Sequence, residues 1–330
     1  MVLLILLSFS IGCQDPISPP PSLMESPEGF PEMEFPEGNE FTQARWELGK
    51  KLFYDPVLSV DSSISCANCH KQELAFADDV VFSDGVMGRP GTRNSPSLAN
   101  IGYHPYFTRE GGIATLEAQV LVPIQEHNEF DFNIVLIMER LLQDSLYIQM
   151  SQQAYDREPD PFVITRAIAT FERSLISGNS PYDRFVFQED KRALDREEKA
   201  GMELFFSERL GCSSCHGGFN FSNYAFENNG LYEDYADPGR FRLTHDPADS
   251  ARFKVPSLRN VALTAPYMHD GSMVDLETVI AHYESGGKTH IHKSEMIKAF
   301  SLSNKEKQEL IAFLYSLTDQ EFVENEIFSE

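Results

Sequence analysis

Positive charge is scarce in this sequence. Its 330 residues include 27 Lys and Arg against 51 Asp and Glu, so the formal net charge is −24 at pH 7. A chain that binds nucleic acid needs a basic surface that displaces counterions from phosphates, and this composition excludes that function class. The acidic surface is compatible with docking of a basic partner protein. The length allows two domains, each with its own core.

Apolar runs long enough to span a membrane as a helix are also missing. The run MVLLILLSFSIGC at residues 1–13 is shorter than the about 20 residues that a bilayer requires, and we interpret it as an export signal. It ends in SIGC, which resembles a bacterial lipobox and predicts lipidation of Cys13. The alternative is a plain secretory signal, because position 10 is Ser rather than Leu and Arg45 is the first basic residue.

Residues 14–40 lack apolar periodicity and are rich in Pro and Glu. This composition is typical of a semi-rigid, solvated tether. Together, the two N-terminal segments predict a protein that is exported to the periplasm and touches a bacterial membrane only through a lipid anchor.

Cysteine is rare, and its placement is specific. Apart from Cys13, the cysteines occur in CANCH at residues 66–70 and CSSCH at residues 212–216. Cys-x-x-Cys-His is the attachment signature of c-type haem, in which both thiols form thioethers and the histidine ligates the iron. A shared zinc site would not need a histidine after each pair. A thioredoxin-like pair would need a βαβ setting that is absent here.

These motifs predict two covalently bound haem c groups. The residues that attach the haems or ligate their irons are Cys66, Cys69 and His70 in the first motif, and Cys212, Cys215 and His216 in the second.

The sequence around each motif is repeated. ELGKKLFYDPVLS precedes the first motif and KAGMELFFSERLG precedes the second. Apolar residues recur at helical spacing in residues 163–177 and 303–317, and Ser303 with Glu306 forms a capping box at the start of the latter. Strand signals are sparse. The predicted fold is all-α, with two cytochrome c-like haem domains in tandem at residues 41–185 and 186–330.

From about residue 45 to its end, the sequence resembles the bacterial di-haem cytochrome c peroxidase family, which includes MauG. The resemblance rests on both haem motifs and on GTRNSPSL, TLEAQVLVPIQEHNEF and VPSLRNVALTAPYMHDG. It implies that the N-terminal haem is the peroxide site and that the C-terminal haem transfers electrons from a small redox protein such as cytochrome c. Because many family members form homodimers, the resemblance also implies a possible homodimer of this chain.

The resemblance further implies the residues on the distal side of the N-terminal haem. They are the catalytic Gln119, Pro123 and Glu129. A carboxylate above the iron can take a proton from one peroxide oxygen and return it to the other, while an amide orients the reactants.

A calcium ion between the domains is the third site that the resemblance implies. Its ligands would be the Asn94 side chain and the backbone carbonyls of Thr264 and Pro266. Oxygen ligands alone suit this hard cation.

The sequence departs from the family near the peroxide haem. Many members carry a distal histidine shortly before the RNSP motif, but FSDGVMGRPGTRN contains none. We therefore predict an open peroxide haem unless Met87 reaches the iron. Members also place a tryptophan between the haems at the position of Arg109, ten residues before Gln119. Tyr106 and Phe107 are candidates to replace it.

The second axial ligand of the C-terminal haem is a further departure. Family peroxidases use a methionine fourteen residues after the histidine of the HDG motif, and counting from His269 leads to Tyr283. MauG has a tyrosine at the equivalent position. We expect Tyr283 to ligate the iron, with Met268, Met273 and His282 as alternatives. The remaining interpretation is a tyrosine that only packs at a helix end.

Together, these features predict an exported di-haem peroxidase that reduces hydrogen peroxide to water with electrons from a small redox protein. One alternative is a MauG-like oxidase that acts on a protein or organic substrate, favoured by the missing distal histidine and by Tyr283. The other is a non-catalytic electron-transfer cytochrome, which leaves the spacing of Gln119 and Glu129 unexplained.

Overall fold

The computed structural model describes residues 23–330, so the predicted export signal and Cys13 lie outside the described residues. Short helices dominate the structure. The helices are α1 (Gln43–Tyr54), α2 (Leu116–Gln119), α3 (Leu121–Gln125), α4 (Ile134–Leu141), α5 (Ser145–Tyr155), α6 (Pro161–Arg173), α7 (Pro181–Val186), α8 (Arg196–Phe205), α9 (Phe241–Thr244), α10 (Leu276–Glu284), α11 (Asn304–Tyr315) and α12 (Gln320–Glu324). Among these described helices, none has the length and apolar character to cross a bilayer.

A small sheet accompanies the helices. Strand β1 (Phe226–Glu227) pairs antiparallel with β2 (Phe253–Lys254), with Phe226 opposite Lys254. The prediction of an all-α fold is confirmed only as a helix-rich fold, because this two-stranded ribbon is also present.

Each half contains one close crossing of two helices, α1 on α6 and α8 on α11. A Cβ atom on Gly49 would lie 1.9 Å from the Ala167 carbonyl oxygen, and one on Gly201 would lie 1.8 Å from the Glu309 carbonyl oxygen. Because only glycine lets two helix backbones approach so closely, the glycine repeated in both sequence motifs serves the same packing role in both halves.

The two predicted apolar stripes form the centres of these crossings. Every residue of both stripes is buried: Ile164, Ile168, Phe171 and Leu175 in the first half, and Leu310, Phe313, Leu314 and Leu317 in the second. The predicted capping box begins α11, where the Ser303 hydroxyl accepts a hydrogen bond from the Glu306 backbone N–H. Both helix predictions are confirmed.

The described part of the predicted tether packs against the body. Phe30 contacts Tyr103 and Phe219, with ring centroids 5.9 and 4.8 Å apart, and Met33 is buried. Asn39 is also buried and donates a hydrogen bond to Glu117 over 2.8 Å. Residues 23–40 therefore contact the body at these positions, and the tether stays a prediction for the segment as a whole.

A buried ion pair fixes α7, whose Tyr182 packs in the core of the second half. Asp183 of α7 and Arg259 are almost fully buried, and two guanidinium nitrogens lie 2.7 and 2.9 Å from the two carboxylate oxygens. Breaking such a pair leaves an uncompensated charge in the interior. The predicted domain boundary near residues 177–185 therefore falls on a buried connection, while the boundary residue itself stays a prediction.

Gly49→Ala is expected to destabilise the protein. The added methyl group would overlap the Ala167 carbonyl, so α1 and α6 must separate, and overpacking of this kind costs about 1–3 kcal/mol. Denaturant unfolding of the haem-loaded protein, followed by circular dichroism, measures the loss. Gly91→Ala is the matched control, because its new Cβ would lie 3.4 Å from the nearest atom. Equal stability of both variants would refute the packing argument.

Candidate functional site

The two CxxCH motifs have the same local structure. Each begins with a 3₁₀ turn, at Cys66–Asn68 and Cys212–Ser214, and all four thiols are free and half-buried. The backbone N–H of the histidine that ends each motif donates to the carbonyl of its first cysteine, over 3.0 Å in the first motif and 2.9 Å in the second. This turn places both thiols and the imidazole of each motif within one short loop.

Both imidazoles are oriented by a backbone carbonyl. His70 Nδ1 lies 2.9 Å from the Phe76 carbonyl oxygen, and His216 Nδ1 lies 3.1 Å from that of Phe221. A carbonyl only accepts, so each Nδ1 carries the proton and each Nε2 keeps a free lone pair. Burial lowers the pKa of both histidines, which favours this neutral form. Iron ligation needs this arrangement, and the residues therefore fit haem c.

A zinc site shared by the two cysteine pairs does not form. Across residues 23–330, no three His, Cys, Asp or Glu side chains come together as a metal site. The two motifs instead belong to separate repeated halves.

The segment of the predicted distal residues packs near the first cysteine pair, because Val120 and Ile124 share an apolar cluster with Cys66. Gln119 ends α2, and its side-chain oxygen is buried without a hydrogen-bond partner. Burial raises the pKa of Cys66 and Cys69, and the charge of the half-buried Glu129 carboxylate adds to both rises, so Glu129 lies near this pair. Burial, and secondarily the charge of Glu126, raises the pKa of Glu129 to about 7. This is not the environment of a solvated surface acid.

The loop before Asn94 packs against the backbone of Glu129. The Val86 N–H donates to the Glu129 carbonyl over 2.9 Å, and a Cβ on Gly85 would meet the Asn128 carbonyl oxygen at 2.1 Å. The Met87 side chain is 72% exposed and therefore points away from the pocket. Pro123 lies within α3, where its carbonyl accepts the Phe130 N–H over 3.1 Å.

A second acid near the first haem motif was missed by the sequence analysis. Glu172 of α6 adds to the rise in the pKa of Cys66, and one of its carboxyl oxygens is buried without a hydrogen-bond partner. Burial raises its own pKa to about 8. The sequence could have indicated this residue, because Glu172 follows Phe171 of the buried apolar stripe in α6, where an acid is shielded from water.

Tyr283 lies near the second cysteine pair. The charges of Cys215 and Cys212 add to burial in raising its pKa, so the phenol faces this pocket. The Asn229 side-chain amide lies 3.5 Å from the phenol oxygen and 3.3 Å from the Met268 sulfur. The two candidate ligands, Tyr283 and Met268, therefore both contact the side-chain amide of Asn229.

The other two alternatives are less suited to the iron. His282 Nε2 lies 3.1 Å from the Asn229 carbonyl oxygen, to which it donates its proton. Met273 pairs through its backbone with Tyr267 in an isolated bridge. Neither of these contacts involves the Asn229 side-chain amide that lies beside both Tyr283 and Met268.

The residues expected to hold calcium come from segments that meet at the junction of the halves. Asn94 is buried, its backbone N–H donates to the His269 carbonyl over 3.0 Å, and its side-chain nitrogen donates to the Val80 carbonyl over 3.1 Å. The side-chain oxygen remains as a donor atom for a cation. Thr264 and Pro266 precede His269 by a few residues, so an oxygen-only calcium site fits the local chemistry.

Arg109 occupies the same junction. Its guanidinium donates to the Asn94 carbonyl over 2.6 Å, and its own carbonyl accepts the Lys254 backbone N–H over 2.7 Å. Tyr106 donates its hydroxyl proton to the Tyr224 carbonyl and stacks on Phe226 with centroids 5.1 Å apart. Tyr106 thus joins the two halves, whereas Phe107 belongs to the core of the first.

Two repeated helical halves, each with a CxxCH motif and a correctly oriented imidazole, define the class of di-haem c-type proteins. Comparison with known proteins refines this class. A sequence profile described as di-haem cytochrome c peroxidase matches residues 43–191. The chain is 35% identical to the methylamine utilization protein MauG of Methylorubrum extorquens, over 88% of this chain and 82% of that protein.

Two further similar proteins are a peroxidase and a MauG-like protein. The chain is 32% identical to the cytochrome c551 peroxidase of Pseudomonas aeruginosa, over 86% of this chain and 81% of that protein. A solved structure of a MauG-like protein associated with microbial copper homeostasis superposes with a TM-score of 0.88 at 33% identity, covering 92% of this chain and 98% of that one. The chain belongs to the di-haem cytochrome c peroxidase family, and family membership implies two covalently bound haems.

Tyr283→Phe is expected to change the ferric absorption and electron paramagnetic resonance spectra of the C-terminal haem, because the substitution removes the phenol oxygen alone. Met268→Leu, at the other contact of Asn229, is the matched control and should leave these spectra unchanged. The opposite result, a change in Met268→Leu only, would make Met268 the ligand.

Proposed function

We propose that this protein reduces hydrogen peroxide to water at the N-terminal haem, with two electrons that a small redox protein delivers to the C-terminal haem. The observation that carries this proposal is the Glu129 carboxyl beside Cys66 and Cys69, in a pocket where its pKa is about 7. Haem iron supplies the redox chemistry. The protein must supply proton transfer, and a group with a pKa near the working pH does this best.

Glu129 moves the proton in this reaction. As a carboxylate, it accepts a proton from one peroxide oxygen and returns it to the other, which leaves as water. Gln119, with its buried and unpaired side-chain oxygen, can accept a hydrogen bond from peroxide or from protonated Glu129. Pro123 limits the backbone motion of α3 between them.

Access to the pocket supports peroxide binding. The loop that carries a histidine ligand in many relatives has none here, and Met87 points to solvent. A pure electron-transfer cytochrome would have no use for an unblocked pocket with a buried proton carrier. The net charge of −24 favours an electron donor that docks through a basic face.

A MauG-like oxidase is the second candidate function. In that case peroxide would still react beside Glu129, but the electrons would come from a protein or organic substrate. Tyr283 beside the second cysteine pair favours this reading, because a phenolate stabilises ferric iron and makes the second haem a poorer acceptor for electrons from a donor protein. The identity to MauG of Methylorubrum extorquens also supports it.

Export and calcium complete the proposal. We infer that residues 1–13 direct the chain to the periplasm and that Cys13 carries a lipid anchor. We also infer that Asn94, Thr264 and Pro266 hold one calcium ion, which would link the two halves.

Glu129→Gln in the haem-loaded protein should lower steady-state peroxide consumption with reduced cytochrome c by about 10²–10⁴-fold, because the amide cannot accept the proton. In the wild type, the rate should fall as the pH drops below about 7, where Glu129 becomes protonated. This acid limb should be absent in Glu129→Gln.

Glu126→Gln is the matched control for this experiment. Removing its charge lowers the pKa of Glu129, so the acid limb should move to lower pH while the rate at neutral pH is retained. Unchanged turnover in Glu129→Gln would contradict its catalytic role. Wild-type protein that consumes peroxide only with a protein or organic substrate would establish the second candidate, and no consumption with either would leave electron transfer alone.

Removal of calcium should lower the thermal unfolding midpoint. A ligand held only by the folded state contributes about 2.7 kcal/mol at a concentration 100 times its Kd. A chelator should therefore lower the midpoint, excess calcium should restore it, and Asn94→Ala should lose the response. A wild-type midpoint that ignores the chelator would exclude the calcium site.

A further inference from the structure

Two cations at the junction of the halves have no anionic partner. Arg109 and Lys254 are absent from every ion pair formed within residues 23–330. Arg109 donates to the Asn94 carbonyl, and the Lys254 ammonium donates to the Tyr106 carbonyl over 2.9 Å. They also repel each other, since the charge of Arg109 adds to burial in lowering the pKa of Lys254 to about 8. Buried cations without an anion are costly.

A third group at the same place lacks an acceptor. His104 Nδ1 lies 3.3 Å from the Lys254 ammonium nitrogen, and the His104 ring packs at a tilt on Tyr224 with centroids 4.9 Å apart. The ammonium group can only donate, so Nδ1 accepts and Nε2 carries the proton. This Nε2 atom is buried without a hydrogen-bond partner. The junction therefore presents two cations that form no ion pair and one N–H donor, His104 Nε2, that has no acceptor.

The acids nearby are already engaged. Glu110 and Asp237 both pair with Arg93, with nitrogen–oxygen distances of 2.6 Å, and Asp270 accepts the Tyr232 hydroxyl over 2.7 Å. None of these three acids forms an ion pair with Arg109 or Lys254.

The internal repeat places this cluster between the two haem motifs. The SPSL stretch at residues 95–98 and the VPSL stretch at residues 255–258 are equivalent, and the backbones of Pro96 and Pro256 lie close enough to His70 and His216 to oppose the lowering of their pKa by burial. Lys254 is thus the counterpart of Asn94, two residues before the proline in each half. Arg109 bonds to both positions, through its side chain to Asn94 and through its carbonyl to Lys254.

We propose that Arg109, Lys254 and His104 bind the propionate carboxylates of the haems at the junction. Haem c uses its vinyl groups for the thioethers, so its carboxylates stay free, anionic and fixed inside the protein. They supply anions for the two cations and an acceptor for the His104 Nε2 proton. The family resemblance implies a tryptophan at the position of Arg109, so this cation departs from that pattern. Positive charge near the irons favours their reduced state and raises their reduction potentials.

Redox titration of the protein with both haems bound, in excess calcium and without peroxide, tests the proposal. Arg109→Gln and Lys254→Gln should each lower at least one haem potential. A unit charge about 10 Å from the iron changes the ratio of reduced to oxidised haem about tenfold, which corresponds to about 59 mV. The resonance Raman bending band of the propionates should shift in both variants and in His104→Phe, which retains the ring that packs on Tyr224.

The controls separate this role from a general loss of charge or structure. Arg109→Lys should keep the wild-type potentials. Arg242→Gln removes a junction cation whose side chain is 56% exposed, and it should change neither potentials nor propionate bands. Wild-type potentials and bands in both Arg109→Gln and Lys254→Gln would overturn the proposal. If Arg109→Gln fails to retain a haem, the potentials and propionate bands of Lys254→Gln alone test the proposal, and wild-type values in that variant would overturn it. The result is independent of peroxide turnover.

Discussion

The position of each haem depends on a hydrogen bond within the loop that follows its attachment motif. The carbonyls of Phe76 and Phe221 fix the Nδ1 protons of His70 and His216, and this leaves both Nε2 atoms for iron. The phenylalanine rings are fully buried, so the carbonyls cannot move without disturbing the cores. The packing of each half therefore determines the orientation of its iron ligand, and the close helix crossings at Gly49 and Gly201 matter for chemistry as well as for stability.

Charge is distributed unevenly between the outside and the inside of this protein. The chain is strongly acidic overall, yet basic residues are concentrated where the halves meet. Arg259 is neutralised by Asp183, and Arg93 by Glu110 and Asp237. An interior that collects cations in an acidic chain must balance them with anions, and a cofactor that brings its own carboxylates provides that balance. Folding of the junction and loading of both haems are then coupled.

Local patterns in the sequence predicted what local physics determines. The CxxCH turns, the stripes from Ile164 to Leu175 and the Ser303 capping box each depend on neighbours within one or two turns of chain. Contacts between distant residues were not predictable in this way. Phe30 finds Phe219, and Asn229 meets both Met268 and Tyr283, only because the tertiary fold brings them together. The orphan donor of His104 could not be predicted either, because it follows from the tautomer that Lys254 imposes.

The shared amide of Asn229 shows why one residue can decide between two functions. Burial raises the pKa of Tyr283, so its phenolate forms only if a cation binds the oxygen, and iron is the cation that the second haem brings. Met268 needs no such deprotonation, because a thioether is a neutral ligand. Ligation by Tyr283 would therefore release a proton and favour ferric iron, whereas ligation by Met268 would favour the reduced state that passes electrons onward. Both atoms lie within 3.5 Å of the same amide, so the fold brings the two candidate ligands to one place near the second haem motif.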